Sequence, residues 1–135
     1  MKILLFCKNT DANTKALQIA VEQAKAFDAS VQMVSCISDK PGVPTEVTEK
    51  AAKKAEKKML EYTLDIFDPA GIACTSEVIV TATIIGEQIV KYAERIDADT
   101  IIMSIEKRSK IGKMVFGSNS QIIILEAPCK VVTIA

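Results

Sequence analysis

Histidine is absent from all 135 residues. That removes the usual general base, the Ser-His and Cys-His nucleophile pairs and the commonest metal ligand. Triad hydrolysis is therefore excluded. The four cysteines, Cys7, Cys36, Cys74 and Cys129, contain no C-x-x-C, so zinc ribbons and thioredoxin-type redox motifs find no support. Each lies in apolar surroundings, as buried free thiols do. Cys7 and Cys36 end two neighbouring apolar runs, and a redox pair there is weighed against core filling, the ordinary use of a thiol in such a run. Ser118 and Ser120 have no base within their motif to activate them. Asp97 and Asp99 are a pair of carboxylates flanking Ala98 and are expected in a polar helix-to-strand turn. These residues define no catalytic or metal site. The remaining candidates are polar stretches: Lys8 to Asp11, and Ser104 to Ser118 with Lys107, Arg108, Lys110 and Lys113. A lysine binds phosphate as a point charge, and a cationic loop is otherwise a solvated surface. Lys8 could also pair with an acid such as Glu106.

The elements that would hold these stretches follow from hydrophobic period. Ile3 to Cys7 is a continuous apolar run, which suits a strand buried on both faces. A helix follows, capped by Thr10 or Asp11, with Leu17, Ala20, Val21, Ala24 and Phe27 on one face. Val31 to Ile37 reads as a second strand, closed by the loop Ser38 to Pro44. A charged helix from about Thr45 to Phe67 turns Ala52, Ala55, Met59, Tyr62 and Ile66 to the core. Asp68-Pro69-Ala70-Gly71 stops it, and a third strand spans about Ile72 to Val80. The next helix carries Ile85, Ile89, Tyr92, Ala93 and Ile96 in register, followed by a fourth strand, Thr100 to Met103. A polar loop starts near Ser104. A short helix, about Ser118 to Glu126, and a fifth strand, Val131 to Ile134, complete the reading.

This alternation predicts one α/β domain over residues 1–135: an open, parallel five-stranded sheet with helices on both faces and right-handed crossovers. In such sheets ligands bind beyond the carboxyl ends of the strands, where strand order reverses. Both polar stretches follow strands and are expected there. A chain of this length buries roughly 68–70% of its unfolded surface, enough for a core without disulfides or metals. Seventeen basic and 17 acidic side chains cancel, which argues against a broad footprint for nucleic acid or an anionic membrane. The five apolar residues after Lys2 are fewer than the ~7–15 of a signal peptide, and no stretch approaches the ~18 of a membrane span. The expected location is the cytoplasm.

Phospho-receiver domains share this alternation but need an acidic pair after the first strand and an aspartate after the third. The sequence has Cys7-Lys8-Asn9 and Val80-Thr81-Ala82. Flavodoxin-like domains need a glycine-rich phosphate loop, and Thr10 to Thr14 contains no glycine. By contrast, Gly117-Ser118-Asn119-Ser120, the apolar Gln121 to Leu125, Ala127-Pro128-Cys129-Lys130-Val131 and the final strand resemble the end of universal stress proteins. Their pattern is Gly-Ser-x-Ser, an apolar helix, Ala-Pro-Cys-Pro-Val and a strand. The likeness extends back through Ile101-Ile102-Met103 and, more weakly, to Ala16-Leu17 and Lys2 to Leu5.

The resemblance implies a Rossmann-like fold of the universal stress protein type and a non-enzymatic stress-response or regulatory module. Nucleotide-binding members carry Gly-x-x-Gly, nine residues, then Gly-Ser, so that main-chain N–H groups and a helix start can approach phosphate. This chain keeps the nine residues Arg108 to Phe116 and the closing Gly117-Ser118, while Ser104 and Lys107 stand where the two glycines would be. Lys8 stands where members binding ATP commonly have an aspartate on the ribose. Gly117 and Ser118 also have a structural use, as turn residue and N-cap. The expected site, a degenerate nucleotide loop, comprises Lys8, Asn9, Thr10, Ser104, Lys107, Gly117, Ser118, Asn119 and Ser120. No cofactor is expected; the alternative is a sensor binding ATP, AMP or another phosphate ligand in the same cleft. The resemblance implies a homodimer paired through the final strand, Val131, Val132, Thr133 and Ile134, whose apolar edge needs cover. A protein partner is a further expectation, with neither nucleic acid nor membrane.

Overall fold

The computed structural model describes residues 1–8, 13–105, 108–110, 113–115 and 117–135. In chain order the elements are β1 (Lys2–Phe6), α1 (Thr14–Phe27), β2 (Ser30–Ser38) and α2 (Thr45–Tyr62), which a π-helical turn extends through Thr63–Phe67. Then come β3 (Cys74–Thr81), α3 (Ile85–Arg95), β4 (Thr100–Ser104), β5 (Arg108–Lys110), β6 (Lys113–Val115), α4 (Ser118–Glu126) and β7 (Lys130–Ile134). Five strands form one parallel sheet in the order β3-β2-β1-β4-β7. The fold class is the one expected.

β1 is central and apolar on both faces because both are covered. Alternate residues divide between two cores. Ile3, Leu5, Met33 and Ile102 pack with Ala16, Leu17, Ala20, Met59 and Phe67 of α1 and the α2 segment. Leu4, Phe6, Val34, Ile101 and Met103 pack with Ile89, Ala93 and Ile123 of α3 and α4. Burying one such aliphatic or aromatic side chain contributes about 1.5–3 kcal/mol. The spacing of apolar residues thus sets which helix lies on which face.

Several expectations need correction. The polar loop after β4 contains the antiparallel pair β5 and β6. The helix from Thr45 is α-helical to Tyr62 and π-helical from there to Phe67; Gly71, at φ 71°, provides the left-handed turn that leads out. Phe27, expected on the core face of α1, is its last residue and is 55% exposed. The N-cap of α1 is Asn13, and the expected caps Thr10 and Asp11 lie outside the described residues. Asp97 and Asp99 do form the α3-to-β4 turn: Asp97 adopts φ 55°, and Asp99 Oδ2 accepts the Lys2 N–H at 2.8 Å.

Candidate functional site

Strand order reverses between β1 and β4, since β2 and β3 extend the sheet to one side of β1 and β4 and β7 to the other. The connections leaving these two strands diverge to opposite faces, opening a crevice at their carboxyl ends. There a cleft of about 350 Å³ is lined by Phe6, Cys7, Lys8, Cys36, Ile85, Gly117, Ser118, Asn119 and Ser120. This is at the small end of the ~300–1,000 Å³ of ligand pockets. A larger hollow, about 470 Å³, opens at the amino ends of the strands beside Lys2, Gln32 and Thr75. Fold geometry favours the carboxyl-end cleft, which also collects Lys8 and the whole of Gly117 to Ser120.

Two local devices build its walls. The first is Asn13: its Oδ1 accepts the Lys8 N–H at 3.1 Å and its Nδ2 donates to the Lys8 carbonyl at 2.7 Å. One buried amide thereby fixes the main chain on leaving β1, while Lys8 remains half-buried at the cleft. The second is the meeting of α3 with α4. The Gly86 N–H donates to Asn119 Oδ1 at 2.9 Å. A Cβ on Gly86 would meet the Asn119 carbonyl oxygen at 2.8 Å, so only glycine allows the two helices this approach. Asn119 lines the cleft with its side-chain oxygen already engaged.

The N-cap of α4 is Gly117, so Ser118, expected to cap, is instead the first helical residue. Gly117 has φ −63°, and nothing among the described residues lies within 4 Å of the Cβ it lacks. Neither its backbone conformation nor packing against the described residues requires a glycine there. Its lack of a side chain leaves an open approach to first-turn N–H groups, which have no intrahelical acceptor. The cleft floor, Phe6, Cys7, Cys36 and Ile85, is uncharged. Burial pushes the Cys7 thiol up to about 12, with Cys74 adding to the shift and Lys58 opposing it. Burial likewise pushes Cys36 up to about 12. The two thiols belong to cores on opposite faces of the sheet, and both are free. None of the nine lining residues is acidic. Such a cleft can seat an apolar or ring-shaped group on its floor, with an anion at Lys8 and the start of α4.

Ser104 is not among the residues lining the cleft. It shares the face of Ile102, two residues earlier, and is buried with Oγ lacking a hydrogen-bond partner among the described residues. Asn9, Thr10 and Lys107 lie outside the described residues. Val131, Val132 and Ile134 are half-buried and Thr133 is exposed on β7, which is an edge strand. Sequence reasoning missed Asn13, Ile85 and Gly86. An asparagine just before a helical pattern and a glycine within one were the available signals. Among the described residues no group of three or more potential metal ligands converges, and no helix is long and apolar enough to cross a membrane.

An open parallel sheet with two helices on each face and its cleft at the strand-order reversal defines a Rossmann-like α/β domain. The universal stress protein family model matches residues 1–135, and the chain belongs to that family. It is 24% identical over 139 residues to a universal stress protein of Methanocaldococcus jannaschii, covering 98% of this chain and 81% of the relative. Among solved structures it is similar to a universal stress protein from Archaeoglobus fulgidus, with 27% identity and TM-score 0.79, covering 100% of this chain and 98% of that one. It is also similar to a universal stress protein from Archaeoglobus fulgidus in complex with dAMP, with 23% identity, TM-score 0.74 and the same coverages.

Proposed function

We propose that this chain is a non-enzymatic regulatory module of the stress response, working in the cytoplasm as a homodimer and holding no ATP tightly. The observation that carries this reading is Lys8. Asn13 clamps its main chain at the mouth of the cleft, where the resemblance leads one to expect a ribose-binding acid. A cation there leaves the ribose hydroxyls without their acceptor. A second reading, an adenine-nucleotide or other phosphate-ligand sensor, is favoured by the open start of α4 and by the dAMP-bound relative.

Pairing through β7 is supported by its open edge. The Ile105 N–H donates to the Ile134 carbonyl at 2.7 Å. Ile134 and, by alternation, Val132 therefore direct their main-chain groups to β4, leaving those of Val131 and Thr133 facing outward. Native mass spectrometry of freshly purified protein with about 100 μM ATP, near −5.5 kcal/mol of binding free energy, tests both parts. The expected result is a dimer without a stoichiometric nucleotide adduct. Thr133→Pro removes an outward N–H and spares the β4 ladder, so it should yield monomer. A parent monomer, or a dimer unaffected by Thr133→Pro, refutes β7 pairing, whereas a saturated ATP complex refutes the Lys8 argument.

A further inference from the structure

We infer that the outward face of α2 docks an acidic amphipathic helix of another protein, along a seam formed by Lys50, Lys53, Lys57, Leu60 and Leu64. These five follow one another at spacings of three, four, three and four, the rhythm by which one helix packs lengthwise on another. The seam runs opposite the buried residues Thr48, Ala55 and Met59, which turn α2 towards the sheet. All five residues are exposed, Leu60 and Leu64 at 56% each, and so is Lys54 beside them. Leu64 stands one turn beyond Leu60, in the π-helical segment. Among the described residues, Lys50, Lys53, Lys54 and Lys57 form no ion pair.

Left to itself this face is doubly unfavourable. Lysines three or four residues apart are neighbours on a helix surface, and like charges so placed weaken the helix. The two leucines, also four apart, hold an apolar spot in water at one end of the same line. A partner helix with carboxylates opposite the lysines and apolar side chains opposite the leucines relieves both. Other occupants fit less well. A second copy of α2 related by a twofold axis would run antiparallel, which sets lysine against leucine and Lys57 against itself. An anionic membrane or a nucleic acid responds to the charge summed over its footprint, and α2 holds four glutamates against five lysines. Glu49, Glu56 and Glu61 border the seam, so its charge has to be read position by position. A helix with placed carboxylates, flanked by cations at its own bordering positions, does that.

α2 lies over β2 and β3, at the opposite edge of the sheet from β7, so the inference goes beyond the cleft reading and is independent of the dimer. The test is fluorescence anisotropy of the full chain with synthetic helical peptides of three heptads, at about 50 mM salt. Their a and d positions are glutamate in two heptads and leucine in the third, with lysine at e and g. Both orders along the peptide are made, because the seam admits parallel or antiparallel docking. One of them should bind with Kd below about 1 mM, at least about tenfold tighter than its counterpart with glutamine for glutamate. Lys50→Gln, Lys53→Gln and Lys57→Gln together should weaken binding about tenfold, as should Leu60→Gln with Leu64→Gln. These positions are exposed, so circular dichroism should show the fold retained. About 500 mM salt should act on the parent chain in the direction of the lysine changes, a readout that needs no variant. Failure of both peptides to bind, or binding indifferent to the lysine changes and to salt, overturns the inference, as does loss with the leucine changes alone. Vesicles rich in phosphatidylserine should not bind; if they do, and the triple lysine change abolishes it, the face is a lipid surface and the inference fails.

Discussion

Replacing Gly86 by alanine should destabilise the domain through one added carbon. The new Cβ would lie 2.8 Å from the Asn119 carbonyl oxygen, 3.0 Å from Ile122 Cβ and 3.1 Å from Asn119 Cα. Two of these are backbone atoms and the third is anchored directly to the helix, so no side-chain rotation relieves the overlap. α3 and α4 must separate, stretching the 2.9 Å bond from the Gly86 N–H to Asn119 Oδ1. Overpacking of this kind costs about 1–3 kcal/mol, and the better helix propensity of alanine offsets at most ~1 kcal/mol. A net loss of roughly 1–2 kcal/mol is expected. With an unfolding entropy of about 2.1 cal/mol/K per residue, the melting temperature should fall by about 4–7 °C. Thermal melts by circular dichroism, paired with urea titrations, measure this directly. A variant that melts at or above the temperature of the parent would refute the claim that the α3–α4 approach requires glycine.

Ser104→Ala removes a buried hydroxyl with no hydrogen-bond partner among the described residues, so stability should be unchanged or rise by up to ~1 kcal/mol. A urea midpoint shifted to lower concentration would indicate that the hydroxyl is bonded in solution. The Cys7 and Cys36 thiols, both pushed up to about 12 by burial, should react slowly with a thiol reagent at pH 8 until the protein is denatured. Their raised pKa values stabilise the fold fully below the unfolded thiol range, and that contribution is lost as pH rises from about 9 towards 12. Alkaline unfolding should therefore grow easier across that window, and a Cys7→Ala, Cys36→Ala protein should show a smaller pH dependence there. Rapid labelling of either thiol in the folded protein would contradict their burial.

The sheet was legible because its strands are short apolar runs between helices of clear period, and α4 begins and ends at the residues expected. The hairpin was not. Arg108-Ser109-Lys110 and Lys113-Met114-Val115 are too short and too polar to alternate visibly, leaving Gly112 between them as the sole signal. The π-helical turn depends on a slip in main-chain hydrogen bonding that no side-chain pattern records. At the site, Lys8 and Gly117 to Ser120 converge as the strand-order rule requires. Ser104, named from the resemblance, is buried on the face of Ile102 and is not among the described residues lining the cleft. The Asn13 clamp escaped because it joins two residues across a connection whose path no period describes.

That clamp has an evolutionary consequence. Its Oδ1 and Nδ2 each bond the main chain of residue 8. A single codon change at position 8 could therefore reverse the charge facing the cleft while the junction between β1 and α1 keeps its anchors. A scaffold that separates what secures a loop from what meets a ligand can exchange one chemical preference for another without first acquiring compensating mutations elsewhere. Position 8 would then be a site where lineages sharing this fold diverge in specificity while remaining alike in shape.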